Sequence, residues 1–217
     1  MTRPGAPAGT RSGLRIACLA AAAATLLLSG LAIGDEARVA AVAQVAGARD
    51  DDPAARRALL AEAAGWSDVP PRAAIGLAAL WLRQAGAAVP PGSDTDAIRH
   101  ARAMLAIADA GRPASASTLL LHSQLALLPA GRPSPAATRA FAASYTAAPF
   151  LTAEGFWRAA YAARYWRDLT PATQEAAVAE AAWLAGLDGR FNDRLVAILG
   201  GSPMSVRFAL RMRPTPR

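Results

Sequence analysis

The sequence predicts an all-α protein, with one long apolar helix near the N-terminus followed by antiparallel helix pairs. Three observations carry this. Apolar residues make up 53% of the chain, alanine the commonest among them, while aromatics make up only 6%, a balance that favours closely packed helices over sheet layers. Proline, glycine and aspartate cut the chain into helix-length pieces, none with sustained period-two alternation. Residues 16–33, IACLAAAAATLLLSGLAI, carry no charge and are followed at once by Asp35 and Glu36.

That run of 18 residues sits at the lower limit for a membrane-spanning helix, about 20 residues. It exceeds the usual signal-peptide core of about 7–15. Arg3, Arg11 and Arg15 precede it without an acid, so residues 1–15 are expected in the cytoplasm and everything beyond residue 34 outside. Ala32 and Gly34 place small residues where a signal peptidase inspects. Two outcomes follow for residues 16–34. One is an uncleaved, single-pass inner-membrane anchor with a periplasmic domain; the other is a signal segment removed to release a soluble periplasmic protein. Cys18 is the one cysteine, so no intrachain disulfide or thiolate metal cluster forms. It opens the apolar run instead of following it, which suits a small helix residue better than a lipid attachment point.

The formal net charge is +7, and all 23 basic residues are arginine, spread along the chain. Clustered lysine and arginine would mark a nucleic-acid partner; this even spread argues against one. Beyond residue 34 the excess is mild, 20 arginines against 16 acids. Exposed arginines still suit anionic lipids or acidic glycans.

The remaining elements follow in order. Residues 35–52 read as a connecting helix or linker. Asp52 before Pro53 is an N-cap followed by a first-turn proline. With Asp50 and Asp51 it complements a helix start electrostatically; adjacent carboxylates point apart, so no metal is expected there. Helices are expected at 53–66, 71–86, 95–110, 114–129, 135–148, 153–168 and 171–186, within a helical domain spanning 53–200. Ser134-Pro135 and Thr170-Pro171 repeat the cap-then-proline start, and Gly65, Gly86, Gly111, Gly131 and Gly186 mark the stops. Short connections imply antiparallel neighbours. Residues 191–210 hold one or two short helices, and 201–217 read as a C-terminal tail that frays from Arg211.

A repeat runs through these helices. Ala101, Leu105, Ala108 and Pro113 have spacings of four, three and five, and Ala137, Phe141, Ser144 and Pro149 match them in spacing and residue class. Ala58, Gly65 and Pro70 form a third copy, with Glu62 in the large position. Small residues admit a neighbouring helix, the large one plugs the gap, and proline ends the segment. These positions resemble the second helix of a tetratricopeptide repeat, which implies a TPR-like α-solenoid; an irregular helical bundle is the alternative. Ile75, Ala78, Ala79, Leu82 and Gly86 resemble its first helix; Leu119, His122, Ser123 and Ala126 fit less closely. The resemblance covers about residues 71–149, with copies 43 and 36 residues apart where the family repeats at about 34, so insertions fall near 92–95 and 132–134.

The resemblance implies a concave partner-binding groove lined by the first helix of each pair. Glu154, Trp157, Tyr161, Arg164 and Tyr165 fall on one face of their helix, and Arg83 and Gln124 occupy comparable places on earlier helices. An aromatic stripe at helical spacing equally describes core packing. A glycan-binding role requires Trp157 and Tyr161 to be exposed. Trp66, Trp81, Trp166 and Trp183 read as core or inter-helix anchors.

No nucleophile-elbow, phosphate-loop or dinucleotide-binding pattern occurs. His100 and His122 lack partners at metal-binding spacing and read as packing or surface residues. Glu62, Glu154, Glu175 and Glu180 qualify as glycan-cleaving acids by residue type alone. No cofactor or metal is expected. The expectation is a non-catalytic, membrane-tethered scaffold of the bacterial envelope, partnered by the membrane and by envelope proteins. Its alternative is a periplasmic glycan-binding or glycan-cleaving helical domain. Residues 141–187, with their Tyr/Trp/Arg helix, WRDLTP turn and AEAAWL, also resemble small helical-repeat proteins accompanying bacterial surface-polysaccharide synthesis, which adds that pathway to the expectation.

Overall fold

The computed structural model describes residues 9–48, 52–128 and 131–213. Asp50, Asp51 and the end of the tail lie outside the described residues. The described residues form ten α-helices and no strand: α1 (Gly9–Ala46), α2 (Pro53–Ala63), α3 (Pro71–Ala87), α4 (Thr95–Gly111), α5 (Ala116–Leu127), α6 (Pro135–Ala147), α7 (Gly155–Arg164), α8 (Pro171–Leu187), α9 (Gly189–Leu199) and α10 (Pro203–Met212).

Local chemistry sets most helix starts. Asp52 accepts from the N–H groups of Ala54 and Ala55 at 2.9 and 3.1 Å, relieving two of the unpaired donors at the start of α2. Asp94, Ser115, Ser134, Thr170 and Asp188 cap α4, α5, α6, α8 and α9 in the same way. One expected helix divides. α7 stops at Arg164, and residues Trp166–Asp168 form a 3₁₀ turn. The tighter turn points both Trp166 and Leu169 into the core. Gln174 Nε2 meets the carbonyls of Trp166 and Leu169, at 2.8 and 3.3 Å.

Consecutive helices reverse direction. The end of α4 meets the start of α3, where a Cβ on Gly111 would lie 2.2 Å from Pro71 Cγ. The start of α7 meets the last turns of α8, where a Cβ on Gly155 would lie 2.6 Å from Leu184 Cδ1. Alternate helices run parallel instead. Ser117 donates to Glu154 Oε1 at 2.8 Å, joining the starts of α5 and α7, and Gly86 and Gly92 meet Leu128 at the ends of α3 and α5. Gly92 has φ +81°, and a Cβ there would lie 2.9 Å from the Leu128 carbonyl oxygen, so glycine suits it on both counts.

α1 belongs to this layer. Its second half runs parallel to α3: Glu36 pairs with Arg72 at 2.7 Å, Val42 fills the space left by the missing side chain of Gly76, and the Ala46 carbonyl accepts from Arg83 at 3.0 Å. Val42 is 1% exposed, packed with Leu59, Leu60, Leu77 and Leu80. Of the two readings for this segment, the connecting helix holds for residues 35–46, which continue α1 and dock on α3 through Val42. Before them, Leu19, Leu26, Leu27, Leu28, Leu31 and Ile33 are exposed. By length and composition the stretch Cys18–Ala46 is the candidate membrane span among the described residues, a test that signal sequences also pass.

Two further expectations change. The short helices expected over 191–210 are present as α9 and α10, but Met204 and Phe208 of α10 are buried against α7 and α8, so the domain reaches at least to Met212 and does not end at 200. The copy at Ala58, Glu62 and Gly65 is exposed, because α2 packs through Arg56, Leu59 and Leu60 instead. The other two copies lie on buried faces: Ala101, Leu105, Ala108, Ala137, Phe141 and Ser144 are all inaccessible.

Candidate functional site

The parallel helices α1, α3, α5 and α7 enclose a groove of about 390 Å³. Ala46 and Gly47 close one end, Ile75 and Ala79 form the floor, and Gln124, Glu154 and Trp157 line the far side. A smaller depression of about 240 Å³ continues between α5 and α7, lined by Gln124, Trp157, Tyr161, Arg164 and Tyr165. Gln124 and Trp157 border both, so the two form one continuous surface. Six of the seven residues singled out from the sequence meet here. They do so because residues three and four apart share a helix face and the first helices lie side by side.

Their roles differ. Trp157 is half-buried, its ring 5.3 Å from Tyr161 and 6.3 Å from Phe141. Tyr161 is only 4% exposed, stacked on Phe141 at 4.2 Å; burial raises its phenol pKa above 10.0. The exposure that glycan stacking asks of Tyr161 is not met, because α6 places Phe141 across its face. Arg164 is exposed, its guanidinium 5.4 Å from the Tyr165 ring centre. Glu154 accepts from Ser117 and keeps a half-buried place at the groove edge. Arg83 does not line the groove. Its guanidinium caps the end of α1 through the Ala46 carbonyl, where a cation complements the helix dipole.

Beneath the groove lies a feature that the sequence reading missed as a pair. Arg158 on α7 and Glu180 on α8 are 0% and 1% exposed, with Nη1 2.9 Å from Oε1. Arg158 also donates to the carbonyls of Ala148 and Ser144 at 2.9 and 2.7 Å, and its guanidinium sits 4.4 Å from the centre of the Tyr145 ring. Glu180 accepts from the Leu151 N–H at 2.9 Å. Burial pushes the Glu180 carboxyl up from its ordinary value, while Arg158 and the Leu151 N–H pull it back. The phenol of Tyr145 is raised well above 10.0 by burial and by the Glu180 charge. A signal for this pair is present in the sequence. Arg158 shares a face with Gly155 and Ala162, and Glu180 with Ala177 and Leu184, so two opposite charges fall on apolar stripes.

The pair is closed off from solvent, with Arg158 Nε buried and unpartnered, so Glu180 is not placed as an accessible acid. Glu62 is exposed on α2, and Glu175 pairs with Arg211 on α10. His122 Nε2 lies 2.8 Å from Asp109 Oδ2, and His100 stacks on Trp81 with ring centres 4.5 Å apart. Among the described residues no three metal-ligating side chains converge. Trp166 is buried, while Trp66, Trp81 and Trp183 are half-buried packing residues. Compared with protein-family models, curated proteins and solved structures, the chain finds no match.

Proposed function

We propose that this chain is a non-catalytic interaction protein, tethered to a bacterial inner membrane by α1, that holds an envelope protein in its groove. Its domain lies in the periplasm, and its pathway is surface-polysaccharide assembly. The observation carrying the reading is the groove, whose floor is apolar and whose far side carries Gln124, Glu154 and a half-buried Trp157. Partner recognition favours an aromatic anchor ringed by polar groups. The parallel first helices support the likeness to tetratricopeptide repeats. Arg3, Arg11 and Arg15 support the orientation.

The anchor is favoured over a cleaved signal for a structural reason. Proteases engage the scissile segment extended, and Ala32–Gly34 lies inside α1, which continues without a break into its docked half.

The test is site-specific photo-crosslinking in cells, with the reactive group at Gln124 or Arg164 and a control at Val89. A defined envelope protein captured from both groove positions, absent from the control and lost on Trp157→Ala with helical circular dichroism intact, supports the reading. Absence of any groove-specific product sinks it. A glycan is the second reading, favoured by the Trp157 ring beside Gln124 and Glu154. It predicts a Trp157-dependent fluorescence change on adding envelope oligosaccharides and no protein crosslink.

A further inference from the structure

We infer that one end of the helical stack is a lipid-contacting rim, on which Phe150 and Leu187 sit in the interfacial layer of the bilayer. The inference rests on α1 being a membrane span, and its geometry comes from the unbroken course of that helix. Ile33 ends the exposed apolar run, and Glu36 already pairs with Arg72 in the first turn of α3. At 1.5 Å per residue, about 5 Å of helix separates the two levels. The start of α3 therefore lies where α1 leaves the membrane.

The rest of the rim follows from helix directions. The starts of α5 and α7 share one level, where Ser117 meets Glu154, and it lies about 7 Å beyond the start of α3, because α3 and α5 run parallel, meet at Leu128 at their far ends and differ by five residues. Their antiparallel partners bring the ends of α4 and α8 to these two levels, as the Gly111–Pro71 and Gly155–Leu184 approaches record. Phe150 lies at the second: its ring is 5.3 Å from Trp183, and the next residue is bound to Glu180.

Phe150 and Leu187 are 47% and 50% exposed on this rim. Arg72, Arg112 and Arg190 are exposed at the same end of the stack, Arg72 paired with Glu36 and Arg190 with Asp188. Arginine beside aromatic and aliphatic side chains is the composition that a membrane–water interface favours. Asp68 and Asp188 share the rim, so the attraction is apolar and does not depend on anionic headgroups. A second copy of the chain is the weaker occupant, since two exposed residues bury too little for a stable interface of about 1,200 Å² or more. The bilayer needs no such area, because the span already holds the rim against it.

The test uses the full chain reconstituted in phosphatidylcholine vesicles containing lipids with brominated tails. A thiol-linked fluorophore is placed at natural Cys18, or, in a Cys18→Ser background, at Phe150→Cys, Leu187→Cys or Val89→Cys. Val89 is 95% exposed in the α3–α4 connection, at the opposite end of the stack. Circular dichroism confirms that each labelled chain folds. The expected result is strong quenching at Cys18, clear quenching at positions 150 and 187, and none at 89. Quenching at Cys18 with 150 and 187 no different from 89 overturns the rim while leaving the span intact. No quenching at Cys18 overturns both.

Discussion

Replacing Arg158 with methionine tests the role assigned to the buried ion pair. The variant loses the 2.9 Å contact with Glu180 and two hydrogen bonds, to Ala148 and Ser144. Methionine occupies much of the aliphatic volume, so the cavity left is small. What remains is a carboxylate, 1% exposed, without its cation. Removing one partner of such a pair costs about 3–5 kcal/mol, a large share of a domain's total of about 5–15 kcal/mol. The double variant Arg158→Met/Glu180→Gln removes both charges, and the new amide oxygen still accepts from the Leu151 N–H. The Ala148 carbonyl then lacks a partner and the Ser144 carbonyl keeps only the Ala148 N–H, at 3.0 Å, a loss of about 2 kcal/mol. The double variant should therefore be more stable than Arg158→Met by about 1–3 kcal/mol. Urea unfolding of the detergent-solubilised full chain, followed by circular dichroism, measures both.

The pH dependence adds a signature that simple loss of packing does not have. Without Arg158, burial acts on Glu180 against only the Leu151 N–H and the Tyr145 hydroxyl, and lifts its folded pKa further above the ordinary value of 4.5. Stability from a raised carboxyl is present below the unfolded pKa and is lost as pH rises through the folded one. Arg158→Met should thus lose stability more steeply than the parent as pH rises above 4.5. A loss under about 1 kcal/mol, a double variant no better than the single, or parallel pH curves would refute the reasoning.

Three other outcomes follow from particular contacts. Asp94 accepts from the Ala97 N–H at 2.9 Å and from Gln84 at 3.1 Å, which hold its carboxyl below 3.8. Its contribution is present above about pH 4 and lost as pH falls through the folded pKa. Asp94→Ala should lose about 1 kcal/mol at neutral pH, whereas Asp94→Asn should keep the cap and flatten the acid limb of the stability curve. Gly155→Ala should lower the melting temperature, because its Cβ would lie 2.6 Å from Leu184 Cδ1; overpacking of about 1–3 kcal/mol outweighs the helix-propensity gain, and a rise would contradict this. A charged, helical seven-residue insert after Gly34 should lift the rim by roughly 10 Å and abolish quenching of a label at position 150, while a flexible Gly/Ser insert of equal length should preserve it.

The all-α class and the helix order are legible because their causes are local. Asp52-Pro53, Ser134-Pro135 and Thr170-Pro171 act within one turn of the chain, and each cap forms as its spacing implies. The end of α7 is not legible in this way. Nothing local stops a helix at Arg164; the stop comes from burying Trp166 and Leu169 against other helices. The fate of residues 35–46 is hidden for the same reason, since docking depends on the fit of Val42 over Gly76, which lies two helices further along the chain. For the groove, one-face spacing correctly groups the α7 residues, but it cannot tell Tyr161 from Trp157. That distinction belongs to α6, which covers one ring and leaves the other half open.

The buried pair also explains why charge is retained where apolar side chains would often be at least as stable. The connection between α6 and α7 leaves the Ala148 carbonyl and the Leu151 N–H without helix partners, while the Ser144 carbonyl already accepts from the Ala148 N–H at 3.0 Å. Ser144 and Ala148 offer carbonyls at the end of α6, and Leu151 offers an N–H in the loop. Buried groups of this kind need partners. A leucine or methionine at either position supplies none. Arg158 takes the two carbonyls and Glu180 takes the N–H, and each then neutralises the other at 2.9 Å. The loop held in this way runs from Phe150 at the rim to Glu154 at the groove. One solvent-free ion pair thus sets the position of both surfaces. A change that loosens it should disturb partner binding and membrane contact together, whereas changes at Trp157 or Leu187 should disturb only one.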